Sequence, residues 1–238
     1  MATWATHLMI ADIVLEKLPQ LDRRGFCVGS IAPDCNIENE DWTAFDPPRE
    51  VTHFMGSGRK TAADSERFFE ERVRPRIESA EINEELSFLL GYYAHLIADA
   101  EFQQMIRDEA RVAAMWKRIR ADEALSVRAQ GMEETWDAAK KLFPKADRFR
   151  EREVIEAEYL QAHPKSGYIT EVLALKSFPD YLDFLPAGAV VRKIGVMGEM
   201  PHKEENAPEP FCISREEYMA YVEKAADTVV RELRKKGF

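Results

Sequence analysis

The chain has 238 residues, 45% hydrophobic and 32% charged. This is ordinary globular composition, and it excludes disordered, collagen-like and coiled-coil readings. With 43 acidic against 33 basic side chains the net charge is −10 and the pI is near 5.2, so no nucleic-acid binding through bulk charge is expected.

The opening residues, Met1 to His7, show neither a basic region nor an apolar core, so no export signal is expected. The longest apolar stretch, Leu86 to Ala100, carries His95 and Asp99 and is too short and too polar to span a bilayer. Cys27, Cys35 and Cys212 are an odd count with no CxxC spacing. They are expected to be buried, inert thiols in a reducing cytoplasm.

Most of the chain reads with a period near 3.6, which predicts an all-α fold. The first helix is expected over Thr6 to Leu18, with His7 at the start of an apolar stripe and Pro19 ending it. Phe26 to Ile31 leads into Ala32-Pro33-Asp34, where the proline predicts a turn holding Asp34. Cys35 to Glu50 reads as an acidic loop that returns His53 to the body. A helix over Thr61 to Arg72, stopped by Pro75, precedes the longest and most buried one, Glu84 to Ala110, which Asn83 starts. Further helices are expected over Asp122–Leu142, Asp147–Ala162, Gly167–Leu175 and Arg215–Lys235. Between them, Phe184 to Ser214 is broken by glycines and prolines. It reads as a long ordered loop with a small hairpin as an option at Val190–Val196. One domain over 1–238 is expected, with 1–110 as the core and 111–238 packing on it.

His95 and Asp99 stand four apart in the most apolar window, so they share one helix face. An unpaired carboxylate there would cost several kcal/mol, so something must compensate it. A hydrogen bond between the two or a neighbouring arginine is one answer; a metal ion held by an i, i+4 imidazole and carboxylate is the other. The company of these residues favours the metal, because three of the five histidines, His7, His53 and His95, occupy semi-apolar positions. Gly91 and Ala98 beside the pair let other elements approach closely.

Four ordered blocks resemble the zinc-dependent phospholipase C and S1/P1-type nuclease superfamily, in its intracellular bacterial branch. They are Trp4 with His7, Gly29-Ser30-Ile31-Ala32-Pro33-Asp34, Thr52-His53-Phe54, and Gly91-Tyr92-Tyr93-Ala94-His95-Leu96-Ile97-Ala98-Asp99, covering roughly residues 1 to 105. The resemblance implies a multi-helical domain in which Asp34, His53, His95 and Asp99 hold one metal. It implies that His7 and a bridging Asp99 hold a second, completed in that family by the chain's own terminal amine and carbonyl. Zinc is the metal implied, with manganese or iron as alternatives. The chain departs from three-metal members at Met105, where they carry a further histidine, and lacks a later His-x3-Glu pair. Two metals are therefore expected, and His163 and His202 read as solvated surface.

A two-metal site suits phosphomonoester or phosphodiester hydrolysis and lets an acidic protein host a small phosphoester or a phospholipid headgroup. Asp34 is the expected catalytic residue, orienting or deprotonating the water. Arg59 and Lys60 are candidate phosphate contacts near His53, although Gly56-Ser57-Gly58-Arg59-Lys60-Thr61 lacks the spacing of a phosphate loop. The alternative is a catalytically inactive protein that keeps a metal only to staple helices. The His-Asp dipeptide that a rival helical phosphohydrolase class needs is missing.

Overall fold

The computed structural model describes residues 2–56, 63–77, 81–202 and 210–238. Helix α1 (Trp4–Lys17) starts two residues earlier than expected because Thr3 caps it. The Thr3 hydroxyl accepts from Thr6 N while the Thr6 hydroxyl accepts from Thr3 N, a reciprocal cap at the helix start. Asp22 caps a helix the sequence reading had not marked, α2 (Arg23–Gly29). A single 3-10 turn, Ala32–Asp34, follows with Pro33 inside it, which puts Asp34 on a turn as expected.

The stretch read as pure loop holds more structure. Strands β1 (Ile37–Glu38) and β2 (Phe45–Asp46) pair antiparallel, Ile37 opposite Asp46, and a one-turn helix α3 (Arg49–Thr52) follows Pro48. Helix α4 (Ser65–Phe68) passes through a π turn, Phe69–Val73, into α5 (Arg74–Ile77). Pro75 thus does not end the helix. The wider register of the π turn just before it accommodates the N–H that proline lacks.

Helix α6 (Glu84–Arg107) is capped by the Asn83 side chain, which accepts from Leu86 N at 2.9 Å. It ends three residues short of the expected Ala110, because Asp108 leaves helical geometry and caps α7 (Glu109–Ala121), a helix the reading had left out. The helix expected over Asp122–Leu142 is two, α8 (Glu123–Arg128) and α9 (Trp136–Leu142). Gly131, at φ 74°, turns the chain between them. Helix α10 (Lys145–Ala162) and a π turn, Tyr168–Leu173, lie close to expectation.

The hairpin considered at Val190–Val196 is instead helix α11 (Ala189–Met197). Its β-branched residues favour strand, but Ala189, Val190, Lys193 and Ile194 bury at helical spacing, so packing overrides propensity. Helix α12 (Arg215–Lys235) has the expected bounds, with a Ser214–Glu217 capping box and Arg234 and Lys235 in its last turn.

Among the described residues the fold is all-α apart from the two short strands. Helix α6 is its axis, with α2, α1 and α12 packed against it. The approach of α2 is close: a Cβ on Gly91 would sit 2.1 Å from the Phe26 carbonyl oxygen, and one on Gly29 2.0 Å from that of Phe88. Buried apolar residues from Trp4 to Leu233 form one connected core that includes Trp116 and Trp136. All three cysteines are buried and free, and burial pushes their thiol pKa values up, as expected of inert thiols. No helix among the described residues is long and apolar enough to cross a membrane.

Candidate metal centre

The fold brings five residues from four separate elements together. His7 comes from the first turns of α1, Asp34 from the 3-10 turn, His53 from the residue after α3, and His95 and Asp99 from successive turns of α6. All but Asp34 are buried; the Asp34 side chain is 16% exposed. Two overlapping trios, His7–His95–Asp99 and Asp34–His53–His95, each gather ligand-type atoms within 4.8 Å of one another.

Asp99 faces both sides. Its Oδ1 lies 3.7 Å from His7 Nε2 and accepts from the backbone N–H of Ala2 at 3.3 Å. Its Oδ2 lies 3.7 Å from His53 Nε2. His53 Nε2 also stands 3.4 Å from Asp34 Oδ1 and 3.3 Å from His95 Nε2. The His7 and His95 rings stack at 3.7 Å, tilted by 9°. The Ala2 contact brings the start of the chain to the site, while Met1, whose amine and carbonyl the family resemblance invoked, lies outside the described residues.

The neighbours of the imidazoles fix their tautomers. His95 Nδ1 is 2.8 Å from the Ser30 carbonyl oxygen, which can only accept, so Nδ1 carries the proton and Nε2 a lone pair. The Thr52 hydroxyl donates to Arg49 O at 3.3 Å and therefore accepts from His53 Nδ1 at 2.9 Å, which leaves His53 Nε2 with a lone pair too. Tyr92 holds this turn by donating to Thr52 O, and Phe54 beyond it sits in the left-handed region at φ 51°. Two lone pairs thus face each other 3.3 Å apart, beside two carboxylates. Both ring nitrogens of His7 are buried with no hydrogen-bond partner. Converging acceptors and an orphaned imidazole fit a divalent ion such as zinc, whose histidine ligands are held by hydrogen bonds at the far nitrogen.

Burial is the largest influence on His7 and His95, holding both below the usual histidine range; His7, further lowered by its neighbour His95, lies well below it. Burial alone would raise Asp34 and Asp99. The neighbouring His53, His95 and Arg49 outweigh it at Asp34, and His95, His7 and Arg49 bring Asp99 to about 2. His7 and His95 are therefore neutral and the two carboxylates charged at pH 7, the forms that bind metal.

The consequence for stability has a definite sign. In metal-free protein the unfolded chain takes up protons on both imidazoles below about pH 6.5 while the folded chain does not, so stability falls with pH at up to about 2.7 kcal/mol per unit for two protons. A second loss follows below about pH 4, as the unfolded carboxylates protonate first. Urea unfolding in chelator at pH 7.5, 6 and 5 is expected to show a falling midpoint; a constant midpoint would contradict burial of neutral His7 and His95.

Sequence reasoning missed Arg49. Its Nη2 donates to Asp99 Oδ2 at 2.7 Å and its Nη1 to Asp34 Oδ1 at 3.2 Å. The arginine weighed as a partner for Asp99 thus exists, on α3 and not on a long helix, while the His95–Asp99 hydrogen bond weighed beside it does not form, since His95 Nδ1 serves Ser30. The signal was present in the four-residue spacing of Arg49 and His53, hidden because the segment read as loop. Also missed was Glu156 on α10, fully buried, whose Oε1 accepts from Thr3, from Thr6 at 2.8 Å and from Tyr218 at 2.6 Å. This network ties α10 and α12 to the start of α1 and so fixes His7.

Arg59 and Lys60 lie outside the described residues. A cavity of about 580 Å³ opens beside the cluster, with Asp34 and Arg49 on its wall. Trp42 and Phe45 from the β1–β2 hairpin, Phe149 from α10 and Met197 from α11 complete much of it. Asp34 is the one member of the five candidates that reaches this wall. His163 and His202 are exposed, away from the cluster's trios.

In comparison with known proteins, residues 6–101 match the family described as zinc dependent phospholipase C. All five candidates and Arg49 fall inside that stretch. The match supports a metal-dependent phosphoester hydrolase, with zinc as the metal and a phospholipid-type substrate. No curated protein and no solved structure matches the chain.

Proposed function

We propose that this chain, whose residues 6–101 match the zinc-dependent phospholipase C family, hydrolyses small phosphodiesters or phosphomonoesters at a two-zinc site. The observation that carries the reading is the convergence of imidazole nitrogens and carboxylate oxygens on one buried point, with Asp34 opening onto a cavity. Asp34, His53 and His95 would hold one ion and His7 the other, with Asp99 available to both. Zinc held there supplies Lewis-acid stabilisation of phosphoryl charge and a water of lowered pKa.

The protein's own groups do the rest. Asp34, the only member of the cluster facing the cavity, orients the attacking water and accepts its proton. Thr52 and the Ser30 carbonyl hold His53 and His95 in the tautomers that present Nε2. Trp42, Phe45 and Phe149 shape the cavity around the remainder of the substrate. The three free, buried thiols fit a cytoplasmic protein. Purified protein with added zinc is expected to release nitrophenolate from bis(p-nitrophenyl) phosphate, and chelator to stop it. Zinc bound without any such turnover would leave the helix-stapling role instead.

A further inference from the structure

We propose that Arg49 is a built-in competitor of the metal, its guanidinium occupying the carboxylate oxygens that a divalent ion must take. The inference rests on the zinc reading above and adds to it what sets the affinity of the site. Arg49 spans the cluster like a fork, with one nitrogen on Asp99 Oδ2 at 2.7 Å and another on Asp34 Oδ1 at 3.2 Å. These are the same two oxygens that His53 Nε2 faces at 3.7 and 3.4 Å. An ion bound by His53 through those two oxygens therefore shares them with the Arg49 charge.

Asp99 has no spare oxygen to relieve the conflict. Its Oδ1 already accepts from Ala2 N and faces His7. Two cations on shared oxygens repel strongly in a site this buried, so entry of one displaces the other. Arg49 is built to leave. Its side chain is 28% exposed, and it lies on the wall of the roughly 580 Å³ cavity into which the guanidinium can swing. The exchange of one cation for another never leaves the two carboxylates without positive charge, which would be costly. It also delivers a guanidinium, a bidentate partner for phosphoryl oxygens, to the side where Asp34 meets the cavity.

The opposite role, an outer hydrogen-bond support that orients carboxylate ligands, makes the opposite forecast, because removing such a support weakens metal binding. Calorimetric titration of zinc into wild-type, Arg49→Ala and Arg49→Lys protein separates them. Competition is expected to make Arg49→Ala bind zinc about tenfold tighter than wild type or more, the scale of a charge-assisted hydrogen bond. Arg49→Lys, whose point charge reaches only one carboxylate, is expected in between. In chelator Arg49→Ala is expected to melt lower than wild type, and zinc to raise its midpoint by more. Equal or weaker zinc binding in Arg49→Ala would overturn the proposal while leaving the zinc site standing. If that variant does not fold, Arg49→Lys decides by the same sign. Absence of zinc binding in every protein, wild type included, would remove the metal reading and the competition with it.

Discussion

Asp99→Ala is expected to lose both zinc ions, taking bound metal from about two per chain to near none, whereas His7→Ala and His53→Ala should each lose about one. The difference follows from geometry. Asp99 Oδ1 faces His7 and its Oδ2 faces His53, so one carboxylate serves both sides of the cluster. His7 and His53 each face only one of those two oxygens. Removing Asp99 leaves Arg49 paired with Asp34, so the variant keeps one ion pair and should fold. Circular dichroism guards against misfolding, and metal analysis after gel filtration reads the stoichiometry. Loss of one ion in all three variants would contradict a bridging Asp99.

Asp34→Asn is expected to reduce phosphodiester turnover by at least about a hundredfold, the usual worth of a positioned general base. Asn keeps the shape of Asp34 and its place on the turn, but it loses the charge that pairs with Arg49 and cannot accept the proton of the attacking water. The role is proposed for Asp34 because, of the five candidates, it is the one that lines the cavity. A shift of the pH–rate profile that accompanies the loss would separate a proton-transfer role from a merely structural one. Unchanged turnover in folded, zinc-loaded Asp34→Asn would remove Asp34 as the catalytic group.

The architecture was legible wherever hydrophobic period and caps agreed. Helices α1, α6, α10 and α12 follow their apolar stripes, and the Asn83 side chain marks a start that local chemistry dictates, whereas the Thr3 cap was missed. It was illegible where packing overrode propensity. The valines of α11 look like strand, yet Val190, Lys193 and Ile194 bury as one helix face. Between α8 and α9, Gly131 breaks a stripe that reads as continuous.

The five candidate residues were legible because buried imidazoles and carboxylates are costly enough to demand a reason, and the four family-like blocks give their order. Arg49 and Glu156 were not. Charged residues in acidic, solvated stretches carry no periodic signal, and only the fold shows that Arg49 turns inward to Asp34 and Asp99 while Glu156 collects three hydroxyls. Their effect on the site depends on three-dimensional closure between segments fifty or more residues apart, as Arg49 is from Asp99.

Elemental analysis of wild-type protein purified without chelator tests the convergence of His7, Asp34, His53, His95 and Asp99 most directly. About two equivalents of zinc per chain, held through gel filtration, are expected. Negligible metal that added zinc does not restore would contradict it, leaving the cluster a buried network neutralised by Arg49 alone.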